Sequence, residues 1–371
     1  MKKKAWFACC SLLLLLCIAA GCGRTADRQA SQIAASSDSF IAEQEQNDDV
    51  SLTSQIIRLE DGFFAVRYDG DDGFDAFLSQ GGAASDREVV DYLANNMLSG
   101  LNVGDLLGDI FGCSTLSVQS PEGDRLFGRN FDWENCEAMV VAAYPKNGYA
   151  SLSTVNMDFI SQGAGGGAVG LALQMDEVKT LAALYAPLDG VNEAGLAVSV
   201  NMIQDPAAIA QDTDKPDITT TTAIRLLLNQ AANVEEALEL LRQYDLHASM
   251  GMMIHFALAD STGRSVTVEY VNNEMVVIET PVLTNFYLAE GEKQGIGTQQ
   301  SHERYNILMR RLNASETMDM QNVRDALDSV SKDNFGEFES TEWSAVFNQS
   351  TGEARYYHRE NYQKSYTFRL K

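Results

Sequence analysis

Residues 111–133, FGCSTLSVQSPEGDRLFGRNFDW, place a cysteine directly behind a glycine at the head of a strand-like run and return, past a turn, to an arginine and an aspartate. A cysteine attacks carbonyl carbon as its thiolate, so a working Cys113 needs a base to take its proton. The four histidines, His247, His255, His302 and His358, show no H-E-x-x-H or comparable ligand spacing and no cysteine cluster accompanies them, so no metal site is expected. The chain has no G-x-S-x-G elbow, and the run GAGGG at residues 163–167 lacks the Lys-Ser/Thr of a phosphate cradle, which leaves it a loop. The remaining base is the chain's own α-amine. Its ordinary pKa near 8 leaves enough of it neutral to take a thiol proton if Cys113 becomes the first residue. That requires the Gly112–Cys113 bond to break, and the thiol itself can attack the preceding carbonyl, which glycine leaves unshielded.

Export bears on what a cysteine is for. Residues 1–22 combine the basic MKKK, an apolar run containing five consecutive leucines, and AAGC, small residues leading into Cys22. This pattern resembles a bacterial lipobox. It implies cleavage before Cys22, diacylglycerol on its sulfur, and attachment to the outer face of a membrane in the bacterial cell envelope. Cys9, Cys10 and Cys17 then leave with the signal, and the mature body keeps only Cys113 and Cys136. Two cysteines in an oxidising compartment form a disulfide, or one of them is a working thiol, and their separation does not decide between these.

The elements that must hold these residues follow from patterning. The chain has 371 residues and is 45% hydrophobic, enough for a full core. Its formal net charge of −25 speaks against nucleic acid as a partner. Residues 23–50 are polar and without periodicity and read as a flexible tether. Residues 51–112 read as a small folded segment: two short strands around Asp61-Gly62, then a helix opened by a Ser85/Glu88 capping box. CSTLSVQ and RLFGRNF flank the turn SPEGD as a hairpin, and AMVVAAYP and YASLSTVNM continue as strands. TTAIRLLLNQAA and NVEEALELLRQY are helical by spacing, the second capped by Asn233, and HFALADSTGRSVTVEYV makes another hairpin. Helices over residues 302–312 and 322–330 and strands over 343–348, 354–358 and 365–370 complete the pattern, an α+β layered sandwich.

GCSTLSV followed by FGRNFDW resembles the opening of the N-terminal-nucleophile amidases of the choloylglycine hydrolase and penicillin V acylase family. It is similar also to the related autoproteolytic acyltransferases and acid-ceramidase-like amidases. DGVNEAGLAVSVNM, FALADSTGRSVTVE, VLTNF, SHERY and WSAVFNQSTGEARYY follow in the family's order, so the resemblance covers residues 112–371. It implies a four-layer αββα sandwich, with residues 51–112 a pro-segment and 113–371 the catalytic domain. It makes Cys113 nucleophile and base donor, sets Arg129 against the thiol, and has Asp132 accept from the α-amine. Asn285 becomes an oxyanion-hole donor and Arg304 a support for the site's charge balance. The family's second oxyanion residue falls at Met202, which leaves either the neighbouring Asn201 side chain or the Met202 backbone N–H to serve. Cys136 is taken as structural and Trp133 as core packing.

The expected activity is that of a self-processing hydrolase of carbon–nitrogen bonds in linear, non-peptide amides of N-acylated small molecules. It would act through a Cys113 thioester, with no cofactor. Acyl transfer to an amine, hydrolysis of conjugated bile salts and a non-catalytic surface binding protein on the same fold are the alternatives. The acyl group, the leaving amine and assembly into a homo-oligomer stay open.

Overall fold

The computed structural model describes residues 45–97, 112–163, 175–333 and 339–370. The expected export signal with Cys22, the tether as far as residue 44, residues 98–111 of the expected pro-segment and residues 164–167 of the glycine run lie outside the described residues. The described residues all fall in one unit, Glu43–Lys371.

Alternation decides the layers. Along Arg125–Trp133, Phe127 and Phe131 join the large core while Leu126 joins a second, smaller cluster with Val323 and Leu327. Successive side chains of a strand point to opposite faces, so this strand has one face toward the core and one toward a helix. Gly128 lies on the helix face, where a Cβ would stand 2.8 Å from Val323 Cγ1; the absent side chain is what lets the helix Met320–Asp328 settle on the strand.

Two sheets result. The seven-stranded one runs, in spatial order, Gln46–Asp49, Lys364–Arg369, Glu353–His358, Ser340–Asn348, Arg125–Trp133, Gly112–Gln119 and Val282–Leu283. The nine-stranded one runs Glu274–Glu279, Ser265–Val271, Ile254–Ala259, Ala197–Met202, Asp189–Asn192, Ser151–Asn156, Ala138–Pro145, Phe63–Gly70 and Ile57–Glu60. The strands Gly112–Gln119 and Ala197–Met202 meet across the gap between the sheets. Helices Thr220–Gln230 and Asp176–Leu184 cover the nine-stranded sheet, and helices Gln299–Ala314 and Met320–Asp328 cover the seven-stranded one. This is the αββα sandwich. Leu226, Leu227 and Leu228 of the first helix are fully buried, each worth about 1.5–3 kcal/mol of transfer free energy.

Local signals place most elements. Asn233 Oδ1 accepts from Glu236 N at 3.0 Å, the cap read from its spacing. Ser85 Oγ accepts from Glu88 N at 3.3 Å, while the Glu88 carboxylate reaches back one residue further than a capping box requires, to Ala84 N at 2.8 Å. Helix Gln299–Ala314 starts three residues before the apolar spacing suggests, because Thr298 caps it by accepting from Ser301 N.

The N-terminal residues depart from the expectation of a tether ending at residue 50. Gln46–Asp49 is a strand paired in parallel with Lys364–Arg369. It has no apolar alternation to announce it. What holds it is tertiary: Asn47 Oδ1 accepts from Thr367 Oγ1 at 2.6 Å, and Glu45 accepts from the Tyr357 hydroxyl at 3.0 Å. Further on, Phe63–Gly70 pairs in parallel with Ala138–Pro145 over its full length, and Phe63, Ala65, Phe74 and Phe77 are buried in the main core. Residues 45–97 thus supply strands to both sheets.

Candidate active site

Cys113 sits at the start of the strand Gly112–Gln119, opposite Phe131 on the neighbouring strand, on the face that looks between the sheets. It is 2% exposed. Both Cys113 and Cys136 are free thiols, so neither spends its sulfur on a disulfide. Cys136 belongs elsewhere, with Glu342 accepting from its backbone N–H at 3.1 Å, and burial holds its thiol well above the usual range with the Glu342 charge adding to the effect.

Arg129 lies on the same inner face, two residues along the strand from Phe131. It is fully buried, donating from Nε to Asp189 Oδ2 at 3.2 Å and from Nη1 to Asn201 Oδ1 at 3.1 Å. Its Nη2 has no oxygen or nitrogen acceptor. The guanidinium charge lies close enough to pull the Cys113 thiol toward its ionised form. Asp189 also accepts from Trp343 Nε1 at 2.9 Å, and Trp343 stacks on Phe131 with ring centres 3.9 Å apart. The arginine is therefore fixed from both sheets.

Asp132 occupies the opposite face of its strand and pairs in register with Gly112. Arg304 Nη1 donates to its Oδ2 at 2.5 Å and Thr341 Oγ1 to its Oδ1 at 2.7 Å. Arg304, from the helix Gln299–Ala314, donates with Nη2 to Asn285 Oδ1 at 2.7 Å. That same oxygen accepts the backbone N–H of Cys113 at 2.8 Å. In the continuous chain the Cys113 nitrogen is thus aimed at Asn285, and Asp132 reaches it through Arg304.

Asn285 Nδ2 donates to the Met202 carbonyl at 2.7 Å, and its backbone N–H to Ser301 Oγ at 2.6 Å. Asn201 is fully buried, and its Nδ2 donates to the Thr284 carbonyl at 3.3 Å. Each amide NH₂ carries a second hydrogen beyond these bonds. Cys113, Arg129, Asp132, Asn201, Asn285 and Arg304 are linked in one network, with the Met202 carbonyl at its edge.

Residues that no local spacing announced complete it. Lys332, almost fully buried, lies beside Asp132 and Glu339 and against Gly112. His255 and Glu269, both fully buried, pair at 3.1 Å; the other ring nitrogen of His255 lies 2.8 Å from the Thr284 carbonyl. The ring thus bridges the Glu269 carboxylate and the backbone next to Asn285. Burial raises the Glu269 pKa, but His255 and the N–H groups of Leu288 and Ala289 outweigh it and leave the carboxyl below its usual range. The only hint in the sequence was that His255 and Glu269 fall in one hairpin, in directly opposed positions.

Electrostatics set what this arrangement can do. Burial pushes the Cys113 thiol up and the Asp132 charge adds to it, against the pull of Arg129 and Arg304; the net shift is upward. The thiol is neutral near pH 7 and must be deprotonated to react. No histidine among the described residues is placed to do it: His247 pairs with Asp217, His302 with the Gly295 carbonyl, His358 with Glu60, and His255 is used as above. No metal-binding cluster occurs among the described residues either.

Residues 113–287 match the linear amide C-N hydrolases, choloylglycine hydrolase family. No curated protein matches the chain. Among solved structures, a mutant of the conjugated bile acid hydrolase from Clostridium perfringens is similar at 17% identity, covering 69% of this chain and 92% of its own, with a TM-score of 0.51. Another variant of that hydrolase gives 15% identity, 70% and 92% coverage and the same TM-score of 0.51. Penicillin V acylase from Agrobacterium tumefaciens superimposes more loosely, at 18% identity, 66% and 83% coverage and a TM-score of 0.48. At such identities the first two show the fold, that of the N-terminal-nucleophile hydrolases. Over residues 113–287 the chain is therefore similar to the choloylglycine hydrolase family, whose members are linear amide C-N hydrolases.

Proposed function

We propose that the protein cuts its own Gly112–Cys113 bond and then hydrolyses N-acyl amides of small molecules through a Cys113 thioester. The observation that carries this is the pairing of a buried, neutral thiol with a backbone nitrogen already oriented by Asn285 Oδ1, with no other base at hand among the described residues. As an amide that nitrogen is useless as a base; as an α-amine in the same place it takes the thiol proton. The thiolate, facing the Arg129 charge, adds to the substrate carbonyl carbon. Negative charge gathers on the carbonyl oxygen, toward which Asn285 Nδ2 and Asn201 Nδ2 each have a hydrogen to offer. Collapse breaks the C–N bond, the α-ammonium protonates the leaving amine, and water then hydrolyses the thioester. Asp132 and Arg304 keep Asn285, and with it the α-amine, in place.

Residues 1–22 serve in this proposal as the export signal with Cys22 lipid-anchored to the cell envelope, and residues 51–112 as the pro-segment. Strand Gln46–Asp49, just before it, is paired into one sheet and its own strands Ile57–Glu60 and Phe63–Gly70 into the other, so both pieces remain together after the cut. Intact-mass and N-terminal analysis test the proposal. The mature catalytic fragment has 259 residues (371 − 113 + 1) and begins Cys-Ser-Thr-Leu. It should co-purify with its partner piece and separate only in denaturant. Cys113→Ala should stay one inactive chain. A fully active protein with the bond intact would overturn the mechanism. Added amines that divert the acyl group into a new amide would make the protein an acyltransferase, and failure to react with a thiol-directed acyl probe would leave a binding protein.

A further inference from the structure

We infer that Lys332 is the cation that stabilises the negative charge appearing on Gly112 during self-cleavage, a positioning and electrostatic role distinct from turnover of external substrate. The inference rests on the self-cleavage proposed above.

Gly112 has no space for a side chain. A Cβ there would run into the Lys332 ammonium and stand 2.8 Å from Asp132 Oδ2. The ammonium is therefore in contact with the glycine whose carbonyl is attacked. Lys332 is a built feature rather than a surface charge, with its side chain only 4% exposed. Its backbone N–H donates to Thr341 Oγ1 at 2.9 Å, its carbonyl accepts from Thr341 N at 3.0 Å, and Thr341 Oγ1 in turn donates to Asp132. One threonine thus ties the lysine to the carboxylate that pairs with Gly112 in the sheet. Nζ is hydrogen-bonded to Glu339 and lies 3.9 Å from Asp132 Oδ2, so in the intact chain its charge is balanced, as is that of Asp132 by Arg304.

Cleavage changes the charge on Gly112 twice. Sγ of Cys113 gives its proton to water, which carries it until the intermediate collapses, and bonds to the Gly112 carbonyl carbon, putting a negative charge on the carbonyl oxygen. When the intermediate collapses, the C–N bond breaks and the Cys113 nitrogen takes the proton, leaving Gly112 as a thioester on the sulfur. Water then splits the thioester into the Gly112 carboxylate and the free thiol. Both the oxyanion and the carboxylate arise next to Lys332, in a buried place where a fixed cation acts strongly. The Arg129 charge lies on the other face of the sheet, with the thiol. The two cations therefore divide the work: Arg129 serves the nucleophile and Lys332 the carbonyl it attacks.

Lys332→Gln and Lys332→Arg, made in the full chain, test this. Conversion of freshly synthesised precursor into the 259-residue fragment is followed by intact mass, with thermal unfolding of each precursor recorded alongside. We expect Lys332→Gln to slow the cut about tenfold or more, and Lys332→Arg, which restores a buried cation, to recover most of the rate. Lys332→Gln cutting as fast as the wild type would overturn the inference while leaving self-cleavage intact. So would an Arg variant as slow as the Gln variant at an unchanged unfolding temperature. A wild-type chain that never cuts would instead sink the self-cleavage reading itself.

Discussion

The side-chain oxygen of Asn285 accepts the backbone N–H of Cys113 at 2.8 Å, across 172 residues of sequence. One amide thereby connects the nucleophile's nitrogen to Arg304, which donates to the same oxygen, and to Met202, whose carbonyl takes the Nδ2 hydrogen. Asn285→Ala removes all three bonds at once. Cleavage after Gly112 and turnover of any amide substrate should each fall about 100-fold or more, the order seen when one oxyanion donor is lost. Fragment mass and kcat check this; near-normal values of both would take Asn285 out of the site.

Arg129 separates charge from shape. Its fork spans Asp189 and Asn201, and a lysine keeps the charge without the fork. Arg129→Lys should fold and lose turnover by about 100-fold through misplacement of the thiol. Alkylation of Cys113 as a function of pH gives a second reading. The thiol already titrates above its ordinary range, and replacement of Arg129 by Met should move the alkylation midpoint higher still.

Glu269 predicts an acid sensitivity. Its folded pKa lies below the model-peptide value of 4.5. Its contribution is therefore complete above the unfolded pKa and lost as pH falls from about 4.5 through the lower folded value. Glu269→Gln should cost about 3 kcal/mol near neutrality, the order for a buried pair that loses one charge, and should flatten the decline of stability below pH 5. Chemical denaturation at several pH values measures both, and an unchanged acid limb would deny the pair this role.

Charge also orders the substrates within the proposed activity. A chain of net charge −25 repels anions beyond the pocket, over a screening length of about 10 Å at 0.1 M salt. Neutral acyl amides should be turned over ahead of taurine-conjugated bile salts at low ionic strength, with the gap narrowing as salt is added. Bile salts far ahead at low salt would reverse the ranking. Conjugated bile salts, phenylacetyl and phenoxyacetyl amides, N-acyl amino acids and N-acyl homoserine lactones make the panel.

What the sequence determined by itself is what short-range physics controls. The hairpin of Gly112–Gln119 and Arg125–Trp133 was legible because two alternating runs flank a turn, and a strand's parity sets which of its side chains share a face. Helix Val234–Leu241 was legible because its cap and apolar stripe lie within a few residues of one another. The candidate residues Cys113, Arg129, Asp132, Asn285 and Arg304 were legible as ordered blocks of a family resemblance. Tertiary structure decided the rest. Strand Gln46–Asp49 is polar throughout and is held by partners 318 and 320 residues away. Lys332 against Gly112, Asp189 against Arg129 and His255 against the Thr284 carbonyl join parts of the chain that carry no mark of one another in sequence. Whether Cys113 and Cys136 would bond, and whether the Cys113 proton would be held, depended on which strands meet and how much water they exclude. Desolvation and ion pairing act through space at a few ångströms, and only the packed sheets bring those charges that close.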